Sequence, residues 1–396
     1  MKALMYILVI ICFMDTFVQL PVVGPYALHL GASSLGAGLA IGMYSLTNML
    51  GNIAAGRWID RYGGKRVLLI GFILTSAVLL LYSQVNTDTQ LIAVRFLHGL
   101  AGGLLVPSVF TLISRHVPDE RQGKSMALSG AAVGLAAIIG PATGGIMKAK
   151  LGFEAPFLTV AALLAIGVLL TIFIPRTAGE RSNGVKSSAE LAESQPSRLQ
   201  PESSFRALFA MRPVVQSYIA AFALMFGMGS LTFALPIKTD ALEFGGQASG
   251  MMLSTFGVVA IMVFMLPTNR LFDRVAPLKL IMLGGGIVIA SLLTLSFTTD
   301  QTMMYITMGV YGLGYALLFP SMNTLLIRHV SAADKGKAFG MFYAFFSLGV
   351  VGGSSGIGYL TSSYDTGLRI AGCVLAGLLI MIVLVGKVQL KVSERV

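Results

Sequence analysis

The chain has 396 residues, of which 55% are hydrophobic and only 11% charged, with a formal net charge of +11. A soluble chain of this length folds as two or three domains whose surface draws on roughly a quarter of charged residues, and this composition cannot supply them. Nor does the positive charge point to nucleic acid, because Lys and Arg collect in the cytoplasmic loops of membrane proteins.

Asp, Glu, Lys and Arg are absent from 16–56, 67–87, 96–114, 125–147, 155–175, 213–237, 244–269, 280–299, 301–327, 338–364 and 370–386. A membrane-crossing helix takes about 20 apolar residues. Divided at Gly, Pro and polar positions, these runs predict twelve spans: 4–24, 33–56, 67–86, 90–113, 125–147, 154–175, 213–237, 247–270, 279–298, 302–327, 337–361 and 367–387. The expected fold class is therefore an all-α membrane protein of twelve transmembrane helices. Lys2 and the apolar run after it imitate a signal peptide, but no small-residue cleavage site follows, so the run reads as the first span. Cys12 and Cys373 fall inside apolar runs and read as packing residues.

An even number of spans puts both termini on one side. That side carries 23 Lys and Arg, the other carries four (Lys148, Lys150, Lys238 and Arg369), and Arg95 lies within a span. The termini and central loop are thus expected to be cytoplasmic. Residues 176–212 form the one long polar stretch, which predicts a linker between an N-terminal six-helix bundle (1–175) and a C-terminal one with a short tail (213–396). The halves repeat at an offset of 213: Gly99 and Gly312, Pro107-Ser108 and Pro320-Ser321, Arg115-His116-Val117 and Arg328-His329-Val330, Asp60-Arg61 and Asp273-Arg274. A duplicated six-helix unit is the pattern of a transporter whose substrate lies between repeats.

In chain order, the first span carries Asp15 with Gln19 one turn later on the same face. Span 2 carries Tyr44, Asn48 and Asn52 at spacings of four, and span 4 carries Arg95 and His98. Asp15 and Arg95 are the two charges well inside the predicted spans, and either costs several kcal/mol if it lacks a partner. At 1.5 Å per residue their depths differ by only ~5 Å, so an Asp15–Arg95 pair is expected. A carboxyl moved between a dry setting and the neighbourhood of a cation takes up and gives up a proton, which makes the pair a candidate proton coupler. No intramembrane charge is expected in the second half. Its polar and aromatic candidates for a substrate cavity are Phe222, Phe226, Tyr311, Tyr315, Asn323 and Phe345, to be joined there by Gln19, Tyr44, Asn48 and His98. The 21 Met residues suit an adaptable, apolar wall.

Between spans 2 and 3 stands Gly56-Arg57-Trp58-Ile59-Asp60-Arg61-Tyr62-Gly63-Gly64-Lys65-Arg66. This resembles the cytoplasmic loop motif of the major facilitator superfamily, and the resemblance extends over the whole chain in two pseudo-symmetric halves. It implies a gate in which Gly56, Asp60, Arg61, Gly63, Lys65 and Arg66 act together, with Gly56 allowing close helix approach and Asp60 facing the N-terminus of helix 11 near Lys337. Leu91, Arg95, His98 and Gly99 resemble the family's helix 4 motif, except that Gln is usual where His98 stands. Gly140-Pro141-Ala142-Thr143-Gly144-Gly145 in span 5 resembles the motif of the family's proton-coupled drug exporters, with Ala127 and Ala136 where that motif has Gly.

These readings together predict a proton-coupled exporter of a small organic molecule in the inner (plasma) membrane. Its partners would be the lipid bilayer, the substrate and protons. It would act as a monomer, with no cofactor beyond the proton gradient and no nucleic acid. The alternatives are an importer or uniporter of a sugar or metabolite, which would need a more polar second half, and a transport-dead scaffold or receptor, against which the gate motif and Asp15 speak. Gly123-Lys124-Ser125 ends like a phosphate loop, but Pro118 stands where its first Gly belongs, so no nucleotide is expected. Four scattered His and no paired acids give no metal site, and no catalytic residue is assigned.

Overall fold

The computed structural model describes residues 2–116, 122–174, 205–265, 272, 274–331 and 334–387, and the regular structure among them is helical throughout. In order these are α1 (Lys2–Gln19), α2 (Val23–His29), α3 (Ser34–Tyr62), α4 (Gly64–Leu80), α5 (Asp88–Gly102), α6 (Leu105–His116), α7 (Gln122–Leu151) and α8 (Ala155–Ile172). There follow α9 (Phe205–Ala210), α10 (Arg212–Ala241), α11 (Ala248–Met265), α12 (Pro277–Phe297), α13 (Gln301–His329), α14 (Lys335–Val351), α15 (Ile357–Leu360) and α16 (Tyr364–Lys387). A π-helical turn, Gly352–Gly356, joins α14 to α15.

Among the described residues, nine stretches are long and apolar enough to cross a membrane, and α1 with α2 makes a tenth if their 42° bend is one broken span. Helix is the only open-ended way to satisfy backbone groups in hydrocarbon. The outward side chains fit that solvent: Ile73, Leu169, Ile306 and Ile380 are each more than half exposed, with relative areas of 54%, 59%, 58% and 59%. The chain is a multi-pass helical membrane protein. Helix starts are marked locally: Ser33, Thr87 and Asp300 accept the amides of Gly36, Gln90 and Met303, while Gly63 turns α3 into α4 at φ +84°, a conformation open to glycine.

Several elements differ from expectation. The first span breaks between Gln19 and Val23, four residues beyond Asp15. Span 7 runs on past Pro236 to Ala241, so Lys238, expected just beyond the span, is part of the helix and fully buried. Its ammonium donates 2.6 Å bonds to the Leu295 carbonyl and the Asp365 carboxylate, which offset the cost of its desolvation. The predicted linker 176–212 is helical from Phe205 onward, with Leu208 fully buried; its residues 176–204 lie outside the described residues.

Within the first half α3 packs on α5, α1 on α7 and α4 on α8; in the second, α12 packs on α13 and α10 on α14 and α16. The 213-residue repeat is visible as a shared crossing device. A Cβ on Gly99 of α5 would lie 2.4 Å from the Tyr44 carbonyl of α3, and one on Gly312 of α13 would lie 2.5 Å from the Phe256 carbonyl of α11. Among the described residues the halves meet mainly where α7 packs on α11 and where α3 packs on α14, the π-helical turn and α15. Both are tight at one end of the molecule. A Cβ on Gly38 would lie 2.3 Å from the Ser354 carbonyl, on Gly358 2.3 Å from that of Ser34, and on Gly250 2.1 Å from that of Pro141. Gly56, in contrast, has nothing within 4 Å of a built Cβ. The structure is thus closed at the Ser34–Gly358 end, and the close approach expected at Gly56 is not made in this state.

Lys148 of the first half and Asp240 of the second form an ion pair across the closed end, at 3.1 Å, with side chains 5% and 40% exposed. Half-exposed pairs of this kind contribute at most about 1 kcal/mol, or roughly a fivefold change in population. Lys148→Ala is therefore expected to open this end several-fold more often, and Lys148→Asp combined with Asp240→Lys to restore closure. Spin labels at Leu151→Cys and Ala241→Cys in a Cys12→Ala/Cys373→Ala background report it; identical distance distributions in all three proteins would deny the pair any role.

Candidate functional site

Asp15 is completely buried, and its carboxyl is contacted by side chains from three helices, α1, α3 and α5. Tyr44 Oη of α3 donates to Oδ2 at 3.1 Å, and Gln19 Nε2 of α1 itself donates to Oδ1 at 3.2 Å and to the Asp15 backbone carbonyl. His98 Nε2 of α5 lies 2.9 Å from Oδ1, and the phenol of Tyr82, in the turn after α4, lies 3.0 Å from His98 Nδ1. Arg95 reaches the network through Gln19, donating at 2.5 Å to Oε1, and its remaining donors go to the carbonyls of Ala40 at 2.8 Å and Ile41 at 3.3 Å. Its guanidinium lies over the Tyr44 ring, 4.7 Å from the centroid. The expected Asp15–Arg95 contact is therefore replaced: Gln19 is interposed, and His98, expected in the substrate cavity, is the basic side chain that touches the carboxyl.

Glycines make the room. Gly99 and Gly103 bring the backbones of α5 and α3 into contact, and a Cβ on Gly102 would lie 3.0 Å from the Tyr44 hydroxyl and 3.4 Å from Asp15 Oδ2. The Gly140–Gly145 motif holds the same helix from the other side. A Cβ on Gly140 would lie 2.6 Å from Phe17 Cβ, and on Gly144 1.9 Å from the Val18 carbonyl, two and three residues from Asp15. The opposite face of α7 meets the second half, where Gly145 seats on Gly250 and Ser254 Oγ accepts the Ala142 amide at 3.0 Å. Pro141 has no N–H and disturbs the ladder around it, and Ser254 caps an amide beside it across the seam. One helix thus touches both the carboxyl's helix and the other half.

The sequence profile of the Major Facilitator Superfamily matches residues 5–240 and 217–395. The chain belongs to the major facilitator superfamily. It is 27% identical over 347 residues to the multidrug resistance protein MdtG of Citrobacter koseri, covering 85% of this chain and 81% of that one. It is 26% identical over 318 residues to MdtG of Klebsiella pneumoniae, covering 78% and 74%. Solved structures share the fold: the nucleoside transporter NupG at TM-score 0.75 and 18% identity, over 98% of this chain and 99% of that one. A peptide transporter POT in complex with sulfate superposes at TM-score 0.79 and 14% identity, over 97% and 94%. These are transporters, not enzymes, and this chain is a membrane transport protein of their superfamily.

The superfamily's loop motif is in place between α3 and α4. Gly63 makes the turn; Lys65 Nζ donates to the carbonyls of Ile172, at 3.0 Å, and Ile174, capping the C-terminal end of α8. Arg61 lies over Tyr62, and Arg66 is exposed. The side chains of Asp60 and Lys337, and residue Asp273, lie outside the described residues. In the second half the aromatic candidates form separate stacks: Phe222 with Phe226 at 6.0 Å, Tyr311 and Tyr315 edge-on to Phe256 at 5.8 and 5.1 Å, and Phe345 on Tyr218 at 5.4 Å. Phe222 and Phe226 cover Gly352, and the Tyr311 phenol is buried with no hydrogen-bond partner among the described residues. Asn323 donates to the Phe319 carbonyl at 2.8 Å, and Asn48 accepts from Asn52 at 3.0 Å, outside the Asp15 network. Tyr82, Ser254 and the Lys148–Asp240 pair were not singled out from the sequence: Tyr82 ends a span beside Ser and Gln with no periodic signal, and a lone Ser in an apolar helix has none.

Proposed function

We propose that this protein is a proton-coupled exporter, moving small, largely apolar organic compounds out of the cell in exchange for protons. In this reading it has twelve passes, in two six-helix halves, with both termini cytoplasmic in the inner membrane, and it works as a monomer with no cofactor or nucleotide. The observation that carries it is the buried Asp15, held by Tyr44, Gln19 and His98 on a helix that α7 wedges against the other half. Protonation changes the charge at Asp15, and any shift of α1 is felt by α7 and hence at the α7–α11 seam, so proton occupancy and the choice of open side bias one another. The exporter-type motif in α7 and the multidrug resistance relatives support the outward direction, and the aromatic, Met-rich second half suits apolar cargo. The closed Ser34–Gly358 end is then the outer one, and the loop motif with Asp60 closes the opposite end in the alternate state.

The test is accumulation of a panel of apolar cationic and neutral dyes, alongside untargeted metabolite profiling, in cells with and without the protein. Lower accumulation in cells carrying it, abolished by a protonophore, is the expected result. Equal accumulation in both would remove the transport reading, and higher accumulation in cells carrying the protein would make it an importer.

A further inference from the structure

In a buried network, the group that receives a carboxyl's proton is the one in contact that can act as a base. Around Asp15 the contacts are Tyr44, which donates; Gln19, which does not titrate; and His98, whose Nε2 stands at 2.9 Å. Arg95 is engaged by the Gln19, Ala40 and Ile41 oxygens, also interacts with the Tyr82 phenol, and has no acceptor atom to offer. Cys12 lies one turn before Asp15 and is buried. Tyr82 faces the other nitrogen of His98, is itself completely buried, and is stacked on Phe157 at 3.8 Å, which fixes where its phenol oxygen stands. Gln, the residue usual at position 98 in the motif this segment resembles, would keep a hydrogen bond to Asp15 but could not take a proton.

We propose that His98 is the proton-sharing partner of Asp15, and that Tyr82 is the positioning residue that holds its ring in the receptive tautomer. This rests on the proton-coupling reading above. With Nδ1–H donated to the Tyr82 oxygen, the Nε2 lone pair faces Asp15. The transfer breaks the Oδ1–H bond and forms Nε2–H, leaving a carboxylate held by Tyr44 and Gln19 beside an imidazolium; the reverse step restores both neutral groups. One proton is stored on a pair that spans α1 and α5, so separating these helices forces it onto one of them.

The test uses the full-length protein in phospholipid nanodiscs, labelled with 15N-histidine, with protons as the only ligand. His98 is assigned by the signals missing in His98→Gln. The expected result is that the His98 ring exchanges charge over an accessible pH range, and that Asp15→Asn changes where it does so. In Tyr82→Phe a population with Nε2–H and bare Nδ1 is expected to emerge. A His98 ring that stays neutral throughout, or a midpoint unmoved by Asp15→Asn, overturns the proposal. In proteoliposomes, His98→Gln is expected to change the pH profile of dye efflux driven by an imposed pH gradient; a wild-type profile in that variant overturns it too. Failure of proton coupling itself would show separately, as wild-type efflux indifferent to the pH gradient.

Discussion

Asp15→Asn abolishes uphill transport while leaving the protein folded and inserted: that is the largest functional effect expected from one substitution. Asn is isosteric with Asp, and its amide oxygen still accepts from Tyr44, whose hydroxyl stands 3.1 Å from Oδ2. The Gly102 space and the packing of α1 on α7 are untouched. What is lost is the charge change, because an amide does not exchange a proton at working pH. Without it the halves can still rock with bound cargo, so downhill exchange persists and only accumulation against a gradient is lost. The measurement is dye transport in proteoliposomes with an imposed pH gradient, with thermal unfolding run in parallel. Full proton-driven accumulation by a folded Asn variant would remove Asp15 from the coupling machinery.

A second large effect is expected from one methyl group on α7. In Gly144→Ala the new Cβ would stand 1.9 Å from the Val18 carbonyl, a backbone atom that no rotamer change can move aside. Either α1 or α7 must shift, at a cost of about 1–3 kcal/mol or more for overpacking of this kind, and the shift falls three residues from Asp15. Transport and thermal stability both drop. On the same helix, Gly130→Ala meets nothing within 4 Å and is expected to raise stability by up to about 1 kcal/mol through helix propensity. The comparison separates a contact from a general intolerance of Ala. Equal stabilities of the two variants would show that the α1–α7 crossing is not held by this contact.

What the sequence determined by itself follows from solvent. In hydrocarbon an unpaired charge is expensive and a helix is obligatory, so charge-free runs mark the helices and the few polar residues inside them mark where buried networks must form. Asp15, Gln19, Tyr44, Arg95 and His98 were all legible on these grounds, and the 213-residue repeat was legible because duplicated crossings need the same glycines, Gly99 and Gly312. The pairing among those residues was not legible. Depth and helix face bring Arg95 within reach of Asp15, but reach is not contact: the α3–α5 crossing at Gly99 and Gly103 presents the Ala40 and Ile41 carbonyls to Arg95, and Gln19 takes the remaining bond. That leaves Asp15 to His98. Tyr82, Ser254 and the Lys148–Asp240 pair act through partners 16, 112 and 92 residues away, and only the packed helices bring such distant groups together, because crossing points are set by many small side chains at once.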